Sequence, residues 1–157
     1  MALRTGLLIL QHPAEAGHAK NTTALLTLGL SPVQRLRGET FDAALARPGD
    51  VLLYPAAGGV PLPETPRRLV LLDGNWRQSR RLLAASPWLQ DLPRLALPAA
   101  LPGRYAIRRA HRPGQLSTLE AGLHALALLE GDAARFEPLW AAFDDFIQAG
   151  LARRIRG

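Results

Sequence analysis

The chain has 157 residues, and its 48% hydrophobic and 20% charged residues are the balance of a globular protein rather than a disordered one. It holds no cysteine, so these residues can form neither a disulfide nor a thiolate zinc site, and no cysteine can act as a nucleophile. Lys and Arg number 19 against 13 Asp and Glu, and the net charge of +6 indicates an anionic partner, although a GC-rich genome would also enrich arginine.

Apolar runs and helical spacing predict alternating strands and helices along the chain. Continuous apolar runs predict three buried strands, at 7–10, 51–54 and 69–72. A fourth strand is predicted at 104–109. The predicted helices are 20–30, 75–85, 118–129 and 133–149, and the proline-rich stretch 92–103 is predicted to be a loop. We therefore expect one α/β domain, residues 1–157, with a largely parallel sheet flanked by helices.

The sequence contains no apolar run as long as a membrane span, and its first residues lead into a short strand rather than a signal peptide. We therefore expect a cytoplasmic protein with no membrane partner.

Polar or glycine-containing segments follow three of the predicted strands. They are Gln11-His12-Pro13, Tyr54-Pro55 with the loop to 63, and Asp73-Gly74-Asn75-Trp76. Each alone is ordinary turn chemistry. Because ligands of an open parallel sheet bind beyond the carboxyl ends of its strands, three such ends at one edge predict a binding crevice.

The segment after the third strand carries the residues best suited to chemistry. Asp73 could act as a general base or could accept hydrogen bonds from the turn. Gly74 permits close approach to a ligand, and Asn75 is a good amino-terminal cap for the next helix. Trp76 could pack in the core or form a flat wall against an adenine or a cation.

Two groups of arginines are candidate phosphate contacts. A solvated surface would explain them as well, but like charges so closely spaced favour an anionic partner, and an interleaved tyrosine suits single-stranded or loop RNA. They are Arg77, Arg80 and Arg81 on the predicted second helix, and Arg104, Arg108, Arg109 and Arg112 around the predicted fourth strand.

Ser117-Thr118-Leu119-Glu120 has the form of a capping box before an apolar run. The same helix start could also seat a carboxylate or a phosphate. The four histidines do not have the spacing of a metal site, and we predict no bound metal.

The segment Asp73-Gly74-Asn75-Trp76 resembles the Asp-x-Thr-Trp motif of the DTW-domain family. Segments similar to four other blocks of that family occur in the right order, from about residue 7 to residue 129. They are Leu10–Glu15 with Asn21-Thr22, Leu53-Tyr54-Pro55, Tyr105–Arg109 and Leu116–Ala121.

The resemblance implies an enzyme that transfers the 3-amino-3-carboxypropyl arm of S-adenosyl-L-methionine (SAM) to uridine N3 in tRNA and releases methylthioadenosine. It implies a fold similar to the SPOUT class, knotted toward the carboxyl terminus, with neither metal nor DNA involved. Asp73 would accept the N3 proton or orient the base. The implied SAM-binding residues are Leu53, Tyr54, Pro55, Leu72, Asp73, Gly74, Asn75, Trp76, Ser117 and Thr118, and the implied RNA-binding residues are the seven arginines.

Two departures from the family pattern affect these expectations. Asn75 replaces the usual threonine, which preserves a helix cap but not a hydroxyl. Many relatives carry an amino-terminal cysteine-rich segment that this sequence is expected to lack, which would change how it holds RNA. A SPOUT-type RNA methyltransferase and a non-catalytic RNA-binding protein are the alternative interpretations.

Overall fold

The computed structural model describes residues 2–13, 30–54, 61–73, 76–96, 118–142 and 145. Within these residues, five parallel strands form one sheet: β1 (Ala2–Gln11), β2 (Ser31–Arg37), β3 (Asp50–Leu53), β4 (Arg68–Asp73) and β5 (Arg94–Leu95). Their order in the sheet is β2-β1-β4-β3-β5. The α-helices are α1 (Trp76–Ala85), α2 (Pro87–Gln90) and α3 (Thr118–Glu130), and 3-10 helices lie at Ala43–Leu45 and Ala133–Phe136. The predicted α/β fold with a parallel sheet flanked by helices is confirmed.

Helices cover both faces of the sheet, which explains why its central strands are continuous apolar runs. Every residue of β4 is buried. Because successive side chains of a strand point to opposite faces, each strand contributes to two clusters. One cluster joins Leu7, Ile9, Leu69 and Leu71 to Leu123, Leu126 and Phe136 of the carboxy-terminal helices. The other joins Leu8, Leu10, Val70 and Leu72 to Leu82 and Leu89 of α1 and α2.

The two edge strands were not predicted from the sequence. The residues of β2 are mostly exposed and include Gln34, Arg35 and Arg37, so no apolar run marks the strand. The prediction of a loop over 92–103 is wrong at Arg94–Leu95, which pair with β3 as β5. This strand has only two residues, too few for a periodic pattern.

Two of the four predicted helices are confirmed as α-helices. The predicted helices 75–85 and 118–129 correspond to α1 and α3. The helix predicted from 133 begins as a 3-10 turn and is α-helical at 137–142 and 145. Residues 20–29 of the first predicted helix and the predicted strand 104–109 lie outside the described residues. None of the helices described is long and apolar enough to span a membrane.

A buried ion pair joins the starts of β3 and β4. Arg68 Nε donates to Asp50 Oδ1 at 2.8 Å, and Arg68 Nη2 donates to Asp50 Oδ2 at 2.7 Å. The backbone N–H of Arg47 also donates to Oδ2, and Leu45 O accepts from Arg68 Nη2. The charge of Asp50 is therefore satisfied from both a side chain and the backbone.

Glu130 connects the last turn of α3 to the beginning of β1. Its Oε1 accepts from the backbone N–H groups of Arg4 and Thr5, at 2.7 Å and 3.3 Å, and its Oε2 accepts from Arg4 Nε at 3.1 Å. Arg135 Nη1 lies 3.9 Å from Oε1. One buried carboxylate thus satisfies two backbone N–H groups of β1 and pairs with the side chain of Arg4.

His124 of α3 makes stability depend on pH. Its ring centroid lies 5.3 Å from that of Trp140, and burial lowers its pKa below the ordinary value of 6.5. The unfolded chain therefore protonates His124 more readily than the folded chain does. The contribution of neutral His124 to the free energy of unfolding is complete above pH 6.5 and is lost as the pH falls through the folded-state pKa. His124→Phe keeps a ring against Trp140 and removes the titration. Urea unfolding between about pH 8 and pH 5 should show a smaller loss of stability for this variant than for the wild type.

Candidate functional site

The carboxyl ends of β1 and β4 lie side by side at the point where the chain changes direction in the sheet. Gln11, the last residue of β1, pairs with Asp73, the last residue of β4. From β1 the chain passes to β2, which lies on one side of the β1–β4 pair. From β4 it passes to β5, which lies on the other side of that pair. Open α/β sheets bind their ligands at such a topological switch point. The Gln11–Asp73 pair therefore marks the candidate site.

The carboxylate of Asp73 is held from the neighbouring strand. Gln11 Nε2 donates a hydrogen bond to Asp73 Oδ2 at 2.8 Å, and both side chains are almost fully buried, at 1% and 2% exposure. The backbone N–H of His12 donates to the backbone oxygen of Asp73 at 3.1 Å. The hydrogen bond from Gln11 orients the carboxylate of Asp73, as a general base requires, and the backbone bond holds the ends of β1 and β4 together.

Tyr54 follows β3 at the same edge and is also buried. Its backbone N–H donates to Leu95 O at 3.2 Å, and its ring packs in the cluster beneath α1 and α2. The guanidinium carbon of Arg94 lies 5.0 Å from the centre of the Tyr54 ring, within the range of a cation–π contact. One face of this ring is therefore paired with a cation of the protein itself.

The structure describes only part of the predicted SAM-binding set. Leu53 ends β3 and is half-buried, whereas Leu72 lies in the core beside Asp73, so its side chain is a packing residue. Trp76 is the first residue of α1, and Thr118 is the first residue of α3. The others, Pro55, Gly74, Asn75 and Ser117, lie outside the described residues.

The predicted RNA-binding arginines divide in the same way. Arg77, Arg80 and Arg81 are exposed on α1, while Leu82 of the same helix is buried against the sheet. The helix α1 therefore presents three cations to solvent, and it begins three residues after Asp73, the last residue of β4. Arg104, Arg108, Arg109 and Arg112 lie outside the described residues.

Two residues with contacts at this edge were assigned no role from the sequence. Gln11 was noted only as part of a strand exit, and its role follows from the pairing of β1 with β4, which no local pattern indicates. Arg94 lay in a predicted loop. Its contact with Tyr54 depends on β5 pairing with β3. Within the described part of the chain, no three His, Asp or Glu side chains lie close enough together to hold a metal ion.

Comparison with known proteins gives a family match and several named relatives. The DTW domain matches residues 1–151. A tRNA-uridine aminocarboxypropyltransferase 2 of Drosophila melanogaster is 37% identical over 145 residues, which are 82% of this chain and 58% of that protein. The Mus musculus protein of the same name is 30% identical over 147 residues, 83% of this chain and 49% of its own length. The chain thus spans about half the length of these curated relatives. No solved structure matches it.

Proposed function

Because the chain belongs to the DTW domain family, we propose that it is a SAM-dependent transferase that attaches a 3-amino-3-carboxypropyl group to uridine N3 in tRNA. The observation that carries this proposal is its similarity, over more than four fifths of the chain, to proteins named tRNA-uridine aminocarboxypropyltransferase 2. The buried Gln11–Asp73 pair at the switch point supplies the chemical group that such a reaction needs. We further propose that the fold is SPOUT-like and knotted toward the carboxyl terminus.

The reaction requires one bond to form, one to break and one proton to leave. Uridine N3 forms a bond to the chain carbon of SAM, the bond from that carbon to sulfur breaks, and methylthioadenosine leaves with the electron pair. The N3 proton passes to a base. Since SAM is already activated, the protein has to hold the two reactants in line and accept that proton, and good positioning alone contributes about 7–11 kcal/mol.

Asp73 is the proposed base. Its carboxylate lies where ligands of this class of fold bind, and the hydrogen bond that it accepts from Gln11 orients it there. Gln11 is accordingly a positioning residue that acts through Asp73. The exposed arginines of α1 would contact tRNA phosphates beside the site.

The surroundings of Asp73 fit SAM in part. An acidic group and an aromatic ring at one edge suit a cationic sulfonium and an adenine. Because Arg94 lies over one face of Tyr54, that face would not stack on the nucleoside. Trp76, at the start of α1, would supply the other wall.

Gln11→Leu should separate the positioning role from the catalytic one. The change removes a donor to a buried carboxylate, which should lower the free energy of unfolding by about 1–3 kcal/mol. It should also lower kcat about tenfold, less than loss of the base itself, because Asp73 is still present. Gln11→Glu places a second carboxylate against Asp73 and should reduce kcat further. Unchanged kcat in both variants would contradict the positioning role.

The test of the function is nucleoside mass spectrometry of unmodified tRNA after incubation with the purified protein and SAM. The expected product is 3-(3-amino-3-carboxypropyl)uridine, with methylthioadenosine in equal amount. Methylated nucleosides with S-adenosylhomocysteine would instead establish a methyltransferase. Binding of SAM and tRNA with no new nucleoside would establish a non-catalytic binding protein.

A further inference from the structure

A basic cavity lies at the end of the sheet away from Asp73. Its volume is about 490 Å³, and it opens where β1 passes the first residues of β2 and β4. The residues of its lining that matter here are Arg4, Pro32, Gln34, Arg47, Arg67 and Arg68. Arg68 and Asp73 are five positions apart along β4, so the cavity lies about 17 Å from the candidate site at the usual strand rise of about 3.3 Å per residue.

The arginines that line this cavity outnumber the carboxylates that pair with them. Arg68 is paired with Asp50, and Arg4 is paired with Glu130, and these two carboxylate side chains are 0% and 1% exposed. The guanidinium groups of Arg47 and Arg67 make no salt bridge with any residue that the structure describes, and both residues are exposed. Four arginines and two paired carboxylates leave a net charge of two positive units among these lining residues and their partners.

The shape and chemistry of the lining favour phosphate groups over bases. Guanidinium groups pair bidentately with phosphate oxygens, and Gln34 adds an exposed amide. None of the described residues that line the cavity is aromatic, so it offers no platform on which a base could stack. Both carboxylates face inward to their partners and therefore do not repel an anion at the opening.

We propose that this cavity holds the phosphate backbone of the RNA substrate, at a surface distinct from the catalytic edge. The inference rests on the proposed function for the identity of the RNA. A tRNA is long enough to contact the cavity and the candidate site together, because a separation of about 17 Å corresponds to a few nucleotides of backbone. Contact at the cavity would orient the RNA without reading its sequence.

The test measures the affinity of fluorescently labelled tRNA by anisotropy at several salt concentrations. Arg47→Gln and Arg67→Gln should each weaken binding and should each reduce the slope of log affinity against log salt by about 1. In the variant that carries both substitutions, the slope should fall by about 2. The variant that combines Arg47→Lys with Arg67→Lys keeps both charges and should retain most of the slope. Arg35→Gln removes one charge from an exposed position of β2 outside the cavity and should leave the slope unchanged.

Each outcome bears on the cavity separately from the transferase activity. Slopes equal to the wild type in both single variants would overturn the proposal, as would an equal loss in Arg35→Gln. Competition by inorganic phosphate for a site that needs Arg47 and Arg67, with tRNA binding unaffected, would assign the cavity to a small anion and would also overturn it. Reduced slopes in a protein that transfers no group would uphold the RNA contact and reject the proposed activity instead.

Discussion

Asp73→Asn is expected to lower the rate of group transfer by about 10²–10⁴-fold, the usual contribution of a general base. Asparagine has nearly the same shape, and its Oδ1 can still accept the hydrogen bond from Gln11 Nε2, so the fold should be retained. What the variant loses is a group that can take the N3 proton. The measurement is the initial rate of methylthioadenosine release with tRNA and SAM both saturating.

Asp91→Asn is the matched control for this change. It removes the same charge from an exposed residue after α2, and its rate should equal that of the wild type. Thermal unfolding and SAM binding of both variants show whether the site is intact. Full activity of Asp73→Asn would remove the base assignment and leave Asp73 as a structural partner of Gln11.

Arg68→Met is expected to lower the free energy of unfolding by about 3–5 kcal/mol, the largest effect on stability that we predict. Among the described residues, the substitution leaves the fully buried carboxylate of Asp50 with the backbone donor of Arg47 alone. A buried charge without its ionic partner is costly because it has been removed from water. Denaturant unfolding monitored by circular dichroism gives the difference directly.

The neighbouring residue provides a control for Arg68. Arg67→Met removes an equal charge from an exposed side chain and should change stability by less than about 0.5 kcal/mol. Arg68→Met combined with Asp50→Leu removes both buried charges and should recover part of the loss. If Arg68→Met lowered the free energy of unfolding no more than Arg67→Met does, the Arg68–Asp50 pair would not stabilise the contact between the starts of β3 and β4.

The central strands could be predicted from the sequence because burial on both faces leaves a pattern in the residues themselves. The runs Leu7–Leu10 and Leu69–Leu72 contain no polar residue, and each is followed by a polar residue, Gln11 or Asp73, that is suited to a site. β2 leaves no such pattern, because its exposed positions carry Gln34 and Arg35 while only Val33 and Leu36 pack inward. An edge strand of this kind is defined by its partner and not by its own residues.

The composition of the candidate site depends on strand order, which is a property of the whole chain. Asp73 could be singled out from its position after an apolar run. That Gln11 would be its hydrogen-bond donor depends on β1 lying beside β4, because Gln11 and Asp73 are 62 positions apart in sequence. The basic cavity could not be predicted either, because Arg4, Arg47 and Arg67 come from three separate segments that lie together only in the folded sheet.

The most direct test of the proposed activity uses SAM labelled either in its carboxyl carbon or in its methyl group, with a pool of unmodified tRNA transcripts. The proposed reaction predicts that the carboxyl label enters tRNA while the methyl label leaves with methylthioadenosine, and that Asp73→Asn slows both processes by the same factor. Methyl label in the tRNA, or no label in tRNA that the protein demonstrably binds, would contradict it.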